Sequence, residues 1–240
     1  MLSTGTRLAV SVAPRSIDEI PALYSEAISA GADLVELRLD ALRPPEPGPI
    51  HDALEGLDCA RLMLTYRSRE EGGLGGPIDG PALDLLEGAS DACPGSILDV
   101  EISGIRRLGA LRDLALSRRD SVVVSRHYAA MPSVEEAASE YREMADLGRY
   151  VKLVFPASRP IDNLLPISLY AALGPGRLIS FCSGVQGIIS RLMSAVLGAP
   201  IAYTSLPGRP LAEGQLPPDE FASLAEAMVS SLGPRRGTII

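Results

Sequence analysis

The sequence predicts a closed (β/α)8 barrel, and three observations support this fold class. Apolar runs rich in β-forming residues recur about eight times, segments with helical spacing separate them, and no Pro- or Gly-rich piece is long enough to link two domains. The runs occupy residues 8–12, 34–40, 61–66, 96–102, 121–128, 150–157, 177–183 and 201–206. We therefore expect a parallel barrel with crossover helices that forms a single domain over residues 1–240.

An open, doubly wound sheet is the alternative arrangement of the same alternating elements. In that fold a Gly-x-Gly-x-x-Gly sequence would follow the first strand, but this chain has Val12-Ala13-Pro14 there. The barrel is therefore the better prediction.

Helix start and stop signals lie between the strands. Ser16 and the acidic residues after it open a helix that Gly31 ends, and a second helix runs from Pro132 to Gly148 with Met131 and Met144 as core contacts. A last helix covers residues 216–232. The Pro-rich residues 44–49 predict a loop and a short or missing second helix.

Composition excludes several classes of function. The net charge is −8 and basic residues form no stripe, which argues against a nucleic-acid partner. The apolar stretch 177–206 is interrupted by Gln186, Arg191 and Pro200, so no membrane segment is expected. An anionic substrate would need a local basic pocket in so acidic a chain.

Three cysteines are present, at Cys59, Cys93 and Cys182. Their odd number and wide, irregular spacing are unlike a disulfide framework or a Cys-x-x-Cys metal site. The sequence therefore favours a reducing cytoplasm.

Two neighbouring strands each carry a residue suited to catalysis. Lys152 lies inside the apolar run 150–157, where a buried amine would be a candidate nucleophile, and a lysine that reaches solvent is the alternative. His127 ends the preceding strand and has the pKa range that general acid–base work needs, although it could also be a buried structural histidine. In a barrel both would face the same mouth.

Other charged residues come late in their strands. Glu36 and Arg38 share one face of the second strand, and Arg67 follows the third strand and leads into a charged, glycine-rich loop that contains Glu71. Because both faces of a central barrel strand are normally covered, the Glu36 and Arg38 pair indicates a site rather than a solvated edge.

A further acidic pair and an isolated arginine need partners. Asp99 and Glu101 share a face and could bind a metal ion, but no histidine or third acid lies nearby in sequence. Arg191 lies in an apolar stretch, where it would pair with an acid of the barrel or with a carboxylate substrate. Gln215 lies in the loop 208–215, which could fold over the mouth.

In this order, the motifs resemble those of the type I 3-dehydroquinate dehydratase family. They are Glu36-Leu37-Arg38-Leu39-Asp40, Thr65-Tyr66-Arg67 with Glu71-Gly72-Gly73, Ser125-Arg126-His127, Val151-Lys152, Gly187 to Arg191, and Gly214-Gln215. The resemblance implies a (β/α)8 barrel of the shikimate pathway that converts 3-dehydroquinate to 3-dehydroshikimate and water. It also implies a homodimer in the cytoplasm that needs no metal or redox cofactor.

The resemblance assigns a role to each motif. Lys152 would form the Schiff base, His127 would be the general acid and base, and Glu71 would orient that histidine. The substrate would be held by Glu36, Arg38, Arg67, Arg191 and Gln215, with Arg191 on its carboxylate. An iminium on Lys152 would be an electron sink that makes the neighbouring carbon 2 proton easier to remove.

This chain departs from the family pattern in two places. The closing loop usually has Ser-Ala-Pro-Gly-Gln, whereas here Leu211 and Glu213 replace the serine and the proline, which affects carboxylate binding rather than the chemistry at the lysine. Phe181-Cys182-Ser183 stands where methionine is common.

Two other functions fit parts of the pattern. A class I aldolase would share the barrel and the lysine, and Gly184 and Gly187 could then belong to a phosphate site. A catalytically inactive barrel that binds a carboxylate would keep Arg191, although the lysine–histidine pair argues against it.

Overall fold

Eight strands form the centre of the molecule in a computed structural model that describes residues 1–43 and 50–232. The strands are β1 (Arg7–Val12), β2 (Leu34–Arg38), β3 (Leu62–Thr65), β4 (Ile97–Glu101), β5 (Val122–His127), β6 (Tyr150–Pro156), β7 (Leu178–Ser183) and β8 (Ile201–Ser205). All eight predicted strands are present, and their ends differ from the predicted ends by no more than two residues.

Every neighbouring pair of strands is parallel, in the order β7-β6-β5-β4-β3-β2-β1-β8. β1 therefore pairs with both β2 and β8, which closes most of the circle. The hydrogen-bonded order ends at β7 and β8. The predicted (β/α)8 barrel is confirmed, and all strands point their carboxyl ends at one mouth.

Nine helices of the described ranges cover the outside of the barrel. They are α1 (Ile20–Ser29), α2 (Ile50–Leu54), α3 (Gly80–Ala92), α4 (Ile102–Arg107), α5 (Gly109–Ser117), α6 (Val134–Ala145), α7 (Leu164–Leu173), α8 (Ile188–Val196) and α9 (Pro218–Ser231). The second helix is short, as expected, and the predicted loop at 44–49 lies outside the described residues. No helix of these is long and apolar enough to cross a bilayer.

Helix α6 shows how local sequence sets the boundaries. The Ser133 hydroxyl accepts a hydrogen bond from the Glu136 amide, and the Glu136 carboxylate accepts one from the Ser133 amide, so the helix begins with a capping box. Met144 is buried, as predicted. The prediction for Met131 was wrong, since its side chain is 37% exposed in the loop before the cap.

Alternation along each strand separates two apolar layers. On β2, Val35 and Leu37 pack outward under the helices, while Leu34 belongs to a cluster inside the barrel that also contains Met63 and Ile179. Further along β2, the inward positions Glu36 and Arg38 are charged. The floor of the barrel is therefore apolar and its carboxyl-terminal mouth is polar.

Cys59 and Cys93 form a disulfide, which corrects the expectation that the cysteines are unpaired. Their Cα atoms lie 5.3 Å apart, because Cys59 precedes β3 and Cys93 precedes the neighbouring strand β4, at the same end of the barrel. Cys182 is a free, buried thiol. The wide spacing in sequence concealed a close approach in space.

Candidate active site at the carboxyl ends of the strands

A cavity of about 480 Å³ opens at the carboxyl ends of the strands. The predicted residues Glu36, Arg38, Arg67, Glu71, His127, Lys152, Arg191 and Gln215 all line it. The fold thus brings together groups that lie up to 179 residues apart in sequence. Its lysine and arginines supply the local basic pocket that an anionic substrate would need.

The amine of Lys152 lies buried inside the mouth rather than in solvent. It donates a 3.0 Å hydrogen bond to Asp99 Oδ2 and lies 3.7 Å from Glu36 Oε1. Its third close neighbour is the ring of Tyr203, whose centroid is 3.9 Å from Nζ. Two carboxylates and one aromatic face therefore surround this amine.

Asp99 was not predicted as a site residue, yet it connects Lys152 to Arg67. Its Oδ1 accepts hydrogen bonds from Arg67 at 2.7 Å and from the Ser125 hydroxyl at 2.6 Å. Burial alone would raise the pKa of Asp99, but the charges of Arg67 and Lys152 outweigh burial and hold the pKa at about 2. This carboxylate is a fixed anion.

Arg67 is the hub of a buried charge network. Its guanidinium contacts Asp99, Glu101 at 3.3 Å and Glu71 at 3.6 Å, and these acids raise its pKa even though burial alone would lower it. Since Asp99 and Glu101 hold this arginine, both acids have a partner within the chain. Arg67 shapes the site mainly through these acids.

The loop after Arg67 needs its glycines. Gly72 has a left-handed φ of 81°, and a Cβ at Gly73 would lie 2.0 Å from the Arg67 carbonyl oxygen. This tight turn brings Glu71 back over the mouth. The geometry of this turn therefore explains why two glycines follow Glu71 in the motif.

Glu71 reaches His127 through the backbone and not through the imidazole. Its Oε2 accepts the His127 amide at 2.8 Å, while Oε1 accepts from Ser103 at 2.7 Å and from Arg126 at 3.2 Å. The carboxylate thus fixes the end of β5. Glu71 therefore contacts the strand that carries His127 and not the imidazole itself.

The imidazole of His127 faces the cavity, and its buried Nε2 makes no hydrogen bond with any residue that the structure describes. Burial lowers its pKa well below 6.5, and the positive charges of Arg67 and Lys152 lower it further. The ring is therefore neutral near pH 7. A neutral imidazole with a free nitrogen is able to accept a proton.

Arg191 lies on α8 beside the gap between β7 and β8 and is buried. Its Nε is buried without a hydrogen-bond partner among residues 1–43 and 50–232, and its guanidinium carbon lies 4.5 Å from the centroid of the Phe181 ring. Burial lowers its pKa to about 10, which leaves it charged at neutral pH. Within the described ranges no acidic side chain pairs with it, so its hydrogen-bonding face is available to a ligand carboxylate.

Glu36 and Gln215 meet through Ser11 on β1. Glu36 accepts a short hydrogen bond from the Ser11 hydroxyl and a 3.1 Å hydrogen bond from Thr65, and Gln215 Nε2 lies 3.4 Å from the same serine. Gln215 Oε1 also accepts the amides of Leu211 and Ala212, both at 3.0 Å. The closing loop is thus tied to the strand residues despite its altered sequence.

Position 214 of this loop requires a glycine. Its φ is 80°, and a Cβ there would lie 2.5 Å from the Gly184 carbonyl oxygen in the loop after β7.

Arg38 is held at the rim by Asp40, whose carboxylate accepts hydrogen bonds from Arg38 Nε at 2.8 Å and from Arg38 Nη2 at 2.7 Å. The Gly214 turn and the Asp40 contact both position groups at the rim of the cavity.

Sequence reasoning missed three residues of the site: Asp99 as the partner of Lys152, Ser11, and Tyr203. The signal for Asp99 was its place late in an apolar strand, on the same face as Glu101. Ser11 and Tyr203 gave no signal of their own, since each is an ordinary residue within an apolar strand.

Comparison with known proteins agrees with this geometry. A family model described as Type I 3-dehydroquinase matches residues 8–229. A 3-dehydroquinate dehydratase of Methanothermobacter thermautotrophicus is 27% identical over 229 residues, which are 95% of this chain and 98% of the relative. One of Thermococcus gammatolerans is 33% identical over 195 residues, covering 80% and 86%.

A solved structure gives the same result for the fold. The 3-dehydroquinate dehydratase of Aquifex aeolicus superimposes with a TM-score of 0.71 and 26% identity, over 98% of this chain and all of that one. With the family match extending over nearly the whole barrel, the chain belongs to the Type I 3-dehydroquinase family.

Proposed function

We propose that this chain, a hydro-lyase of its family, converts 3-dehydroquinate to 3-dehydroshikimate in the shikimate pathway through an imine on Lys152. The observation that carries the proposal is the position of the Lys152 amine, buried in a basic cavity one strand from a neutral His127. The barrel over residues 1–240 is the catalytic domain in this proposal.

Imine formation begins with a proton transfer. The ammonium of Lys152 must lose a proton before its lone pair can attack the carbon 3 ketone. Asp99 is a poor acceptor because its pKa is about 2, whereas the neutral imidazole of His127 can take the proton. The amine then adds to the carbonyl carbon to give a neutral carbinolamine. The imidazolium of His127 returns its proton to the departing hydroxyl, so that loss of water leaves an iminium and a neutral imidazole.

The dehydration then uses His127 twice. The neutral imidazole takes the proton from carbon 2, and the electron pair moves toward the iminium nitrogen, which gives an enamine. The imidazolium donates its proton to the hydroxyl on carbon 1, which departs as water while the electron pair returns to form the new double bond. Hydrolysis of the imine releases the product and regenerates the amine.

Arg191 is the group suited to the substrate carboxylate. Its guanidinium is charged, buried and without an acidic partner in the part of the chain that the structure describes. Glu36, Arg38 and Gln215 line the other side of the same cavity, where they would hold the substrate hydroxyls. Arg67 would act mainly by fixing Asp99 and Glu101.

The experiment is an assay on 3-dehydroquinate followed by the ultraviolet absorption of the conjugated product. We expect a steady absorbance rise with the purified protein and none with the variant Lys152→Met. If the wild-type protein produced no rise between pH 5 and pH 9, the proposal would be wrong. Cleavage of a carbon–carbon bond in a phosphorylated sugar would point to an aldolase instead.

We further propose a homodimer in the cytoplasm. The aliphatic side chains Ile161, Leu164, Val185 and Ile189 are each at least half exposed on the segments that begin α7 and α8, which supports a self-association surface. Light scattering tests the dimer. Because disulfides are uncommon in reducing compartments, thiol titration of freshly extracted protein tests whether Cys59 and Cys93 are bonded there.

A further inference from the structure

Two aromatic rings form one wall of the cavity beneath its two functional cations. Tyr203 on β8 and Phe181 on β7 are both buried, and their ring centroids lie 6.0 Å apart with the planes tilted by 42°. The Lys152 amine lies 3.9 Å from the Tyr203 centroid, and the Arg191 guanidinium lies 4.5 Å from the Phe181 centroid. Each cation thus has its own ring.

The Tyr203 hydroxyl points away from the reacting groups. It donates to Met63 Sδ at 3.5 Å in the apolar floor of the barrel. Burial keeps the pKa of the phenol well above 10, and the carboxylates of Asp99 and Glu36 raise it further, so the ring stays neutral. The part of Tyr203 that faces Lys152 is therefore the electron-rich ring face.

The ring face differs from the other two neighbours of the amine. Asp99 and Glu36 attract the ammonium through its N–H groups and its charge. An iminium keeps only one N–H, because two of the three ammonium protons are lost when the carbon–nitrogen double bond forms. Attraction to a π face needs charge and no N–H, so this contact persists in the iminium and is lost in any neutral intermediate.

Phe181 provides the equivalent contact for the guanidinium. Arg191 has no acidic partner within the described ranges, its Nε is unpaired, and the Phe181 ring is the group that offsets part of its burial. The ring packs with its centroid 4.5 Å from the guanidinium carbon, and Arg191 also lines the cavity. This arrangement places the guanidinium where a carboxylate in the cavity would reach it.

We propose that each aromatic ring contacts one positive charge of the site and has its own role. Tyr203 stabilises the iminium on Lys152, and Phe181 orients Arg191 toward the substrate carboxylate. This inference rests on the proposed function and adds a residue for each half of it. Tyr203 acts on the chemical step, and Phe181 acts on binding.

The test uses isosteric changes so that folding is not the variable. Tyr203→Phe keeps the ring face and removes the hydroxyl, and we expect kcat within about threefold of the wild type. Replacing Tyr203 with mono-, di- and trifluorinated phenylalanine withdraws electron density from the face at nearly constant shape. Because positive charge develops on the nitrogen when the neutral carbinolamine loses water, we expect imine formation, and with it kcat, to slow stepwise to about 10- to 30-fold below that of Tyr203→Phe. KM should change less than about threefold.

The matched variant changes Phe181, the other ring of the aromatic wall. Phe181→Leu should raise KM by about tenfold with kcat nearly unchanged, and borohydride in the presence of saturating substrate should still trap the Lys152 adduct fully. The fluorinated series at Tyr203 should instead lower the trapped fraction. The inference is supported if fluorination at Tyr203 lowers mainly kcat and Phe181→Leu raises mainly KM.

These measurements distinguish a failure of this inference from a failure of the proposed function. If the wild-type protein turns over 3-dehydroquinate and fluorination at Tyr203 leaves kcat and trapping unchanged, the inference is wrong and the proposed function stands. If the wild-type protein neither turns over the substrate nor traps an adduct, the proposed function itself fails. A thermal melt of each variant shows whether folding is retained.

Discussion

The amine of Lys152 on β6 and the carboxylate of Asp99 on β4 form a buried pair 3.0 Å apart, 53 residues apart in sequence. Asp99 also holds Arg67 at 2.7 Å, so one carboxylate serves two cations. The pair keeps the amine at a fixed place above the apolar floor. Because the Asp99 pKa is about 2, its carboxylate stays ionised across the whole physiological pH range.

Asp99→Asn should therefore destabilise the protein as well as reduce turnover. Removing one partner of a buried pair leaves Arg67 and Lys152 less compensated, and we expect the free energy of unfolding to fall by about 3–5 kcal/mol at pH 7. Urea unfolding of the wild type and the variant measures this difference in free energy. Asp91→Asn, which breaks an exposed pair with Arg118, is the matched control and should cost less than about 1 kcal/mol.

The same pair predicts a pH dependence of stability. The folded pKa of Asp99 is lowered from 3.8 to about 2, so its contribution is complete above the unfolded pKa and is lost as pH falls from about 4 through 2. The stability difference between wild type and Asp99→Asn should shrink over that interval. An unchanged difference at pH 2 and pH 7 would show that this ionisation does not stabilise the fold.

His127→Ala should separate imine formation from dehydration. Water can take the Lys152 proton slowly in place of the imidazole, so we expect the variant still to trap the substrate with borohydride on long incubation. Its kcat should fall by about 10³-fold or more, because the base for the carbon 2 proton is lost. Quenched-flow turnover and intact mass measure the two effects. A variant that retained full activity would show that another residue removes the carbon 2 proton.

The acid limb of the wild-type pH profile follows from the same residue. The active form is the neutral imidazole, which is present above its pKa, and that pKa is well below 6.5 in the folded site. The decline of kcat/KM on the acid side should therefore fall below pH 6.5. A limb above pH 7 would contradict a buried, electropositive surrounding for His127.

Arg191→Gln should weaken substrate binding more than it slows chemistry. Loss of a charge-assisted, bidentate contact predicts a rise in KM of about 100-fold, and Arg191→Lys should recover only part of it because a lysine lacks the planar fork. Steady-state kinetics test this, with the exposed Arg159→Gln as a control. Equal KM values for Arg191→Gln and the wild type would assign the carboxylate to another group.

The disulfide predicts a stability effect without a catalytic one. Cys59 and Cys93 close a loop of 34 residues that contains β3 and the Glu71 turn, and Cys93→Ser should lower the free energy of unfolding by about 4 kcal/mol. Activity at 25 °C should be retained, since the bond lies at the opposite end of the barrel from the cavity. Cys182→Ala is the control for loss of a buried thiol.

The fold was largely predictable because each strand is a local apolar run with turn signals around it. Alternation along a strand also placed Glu36 with Arg38 and Asp99 with Glu101, since side-chain direction is a local property. The pairing of Lys152 with Asp99 was not predictable in this way. It depends on the register of two strand pairs and on the curvature of the barrel, which no single segment specifies.

The disulfide was missed for a related reason, although a signal existed. Cys59 and Cys93 each stand a few residues before a predicted strand, and consecutive strands of a parallel barrel start at the same end. Spacing in sequence was the wrong measure. Met131 was missed because its apolar side chain precedes the helix cap, where the chain still lies at the surface.

The most direct test of the account is reductive trapping of the wild-type protein with 3-dehydroquinate and borohydride, followed by peptide mapping. We expect one equivalent of covalent mass on the peptide that contains Lys152, and none in Lys152→Met. Turnover of the substrate with no adduct, or with the adduct on another lysine or on the N-terminus, would contradict the central claim that Lys152 forms the imine.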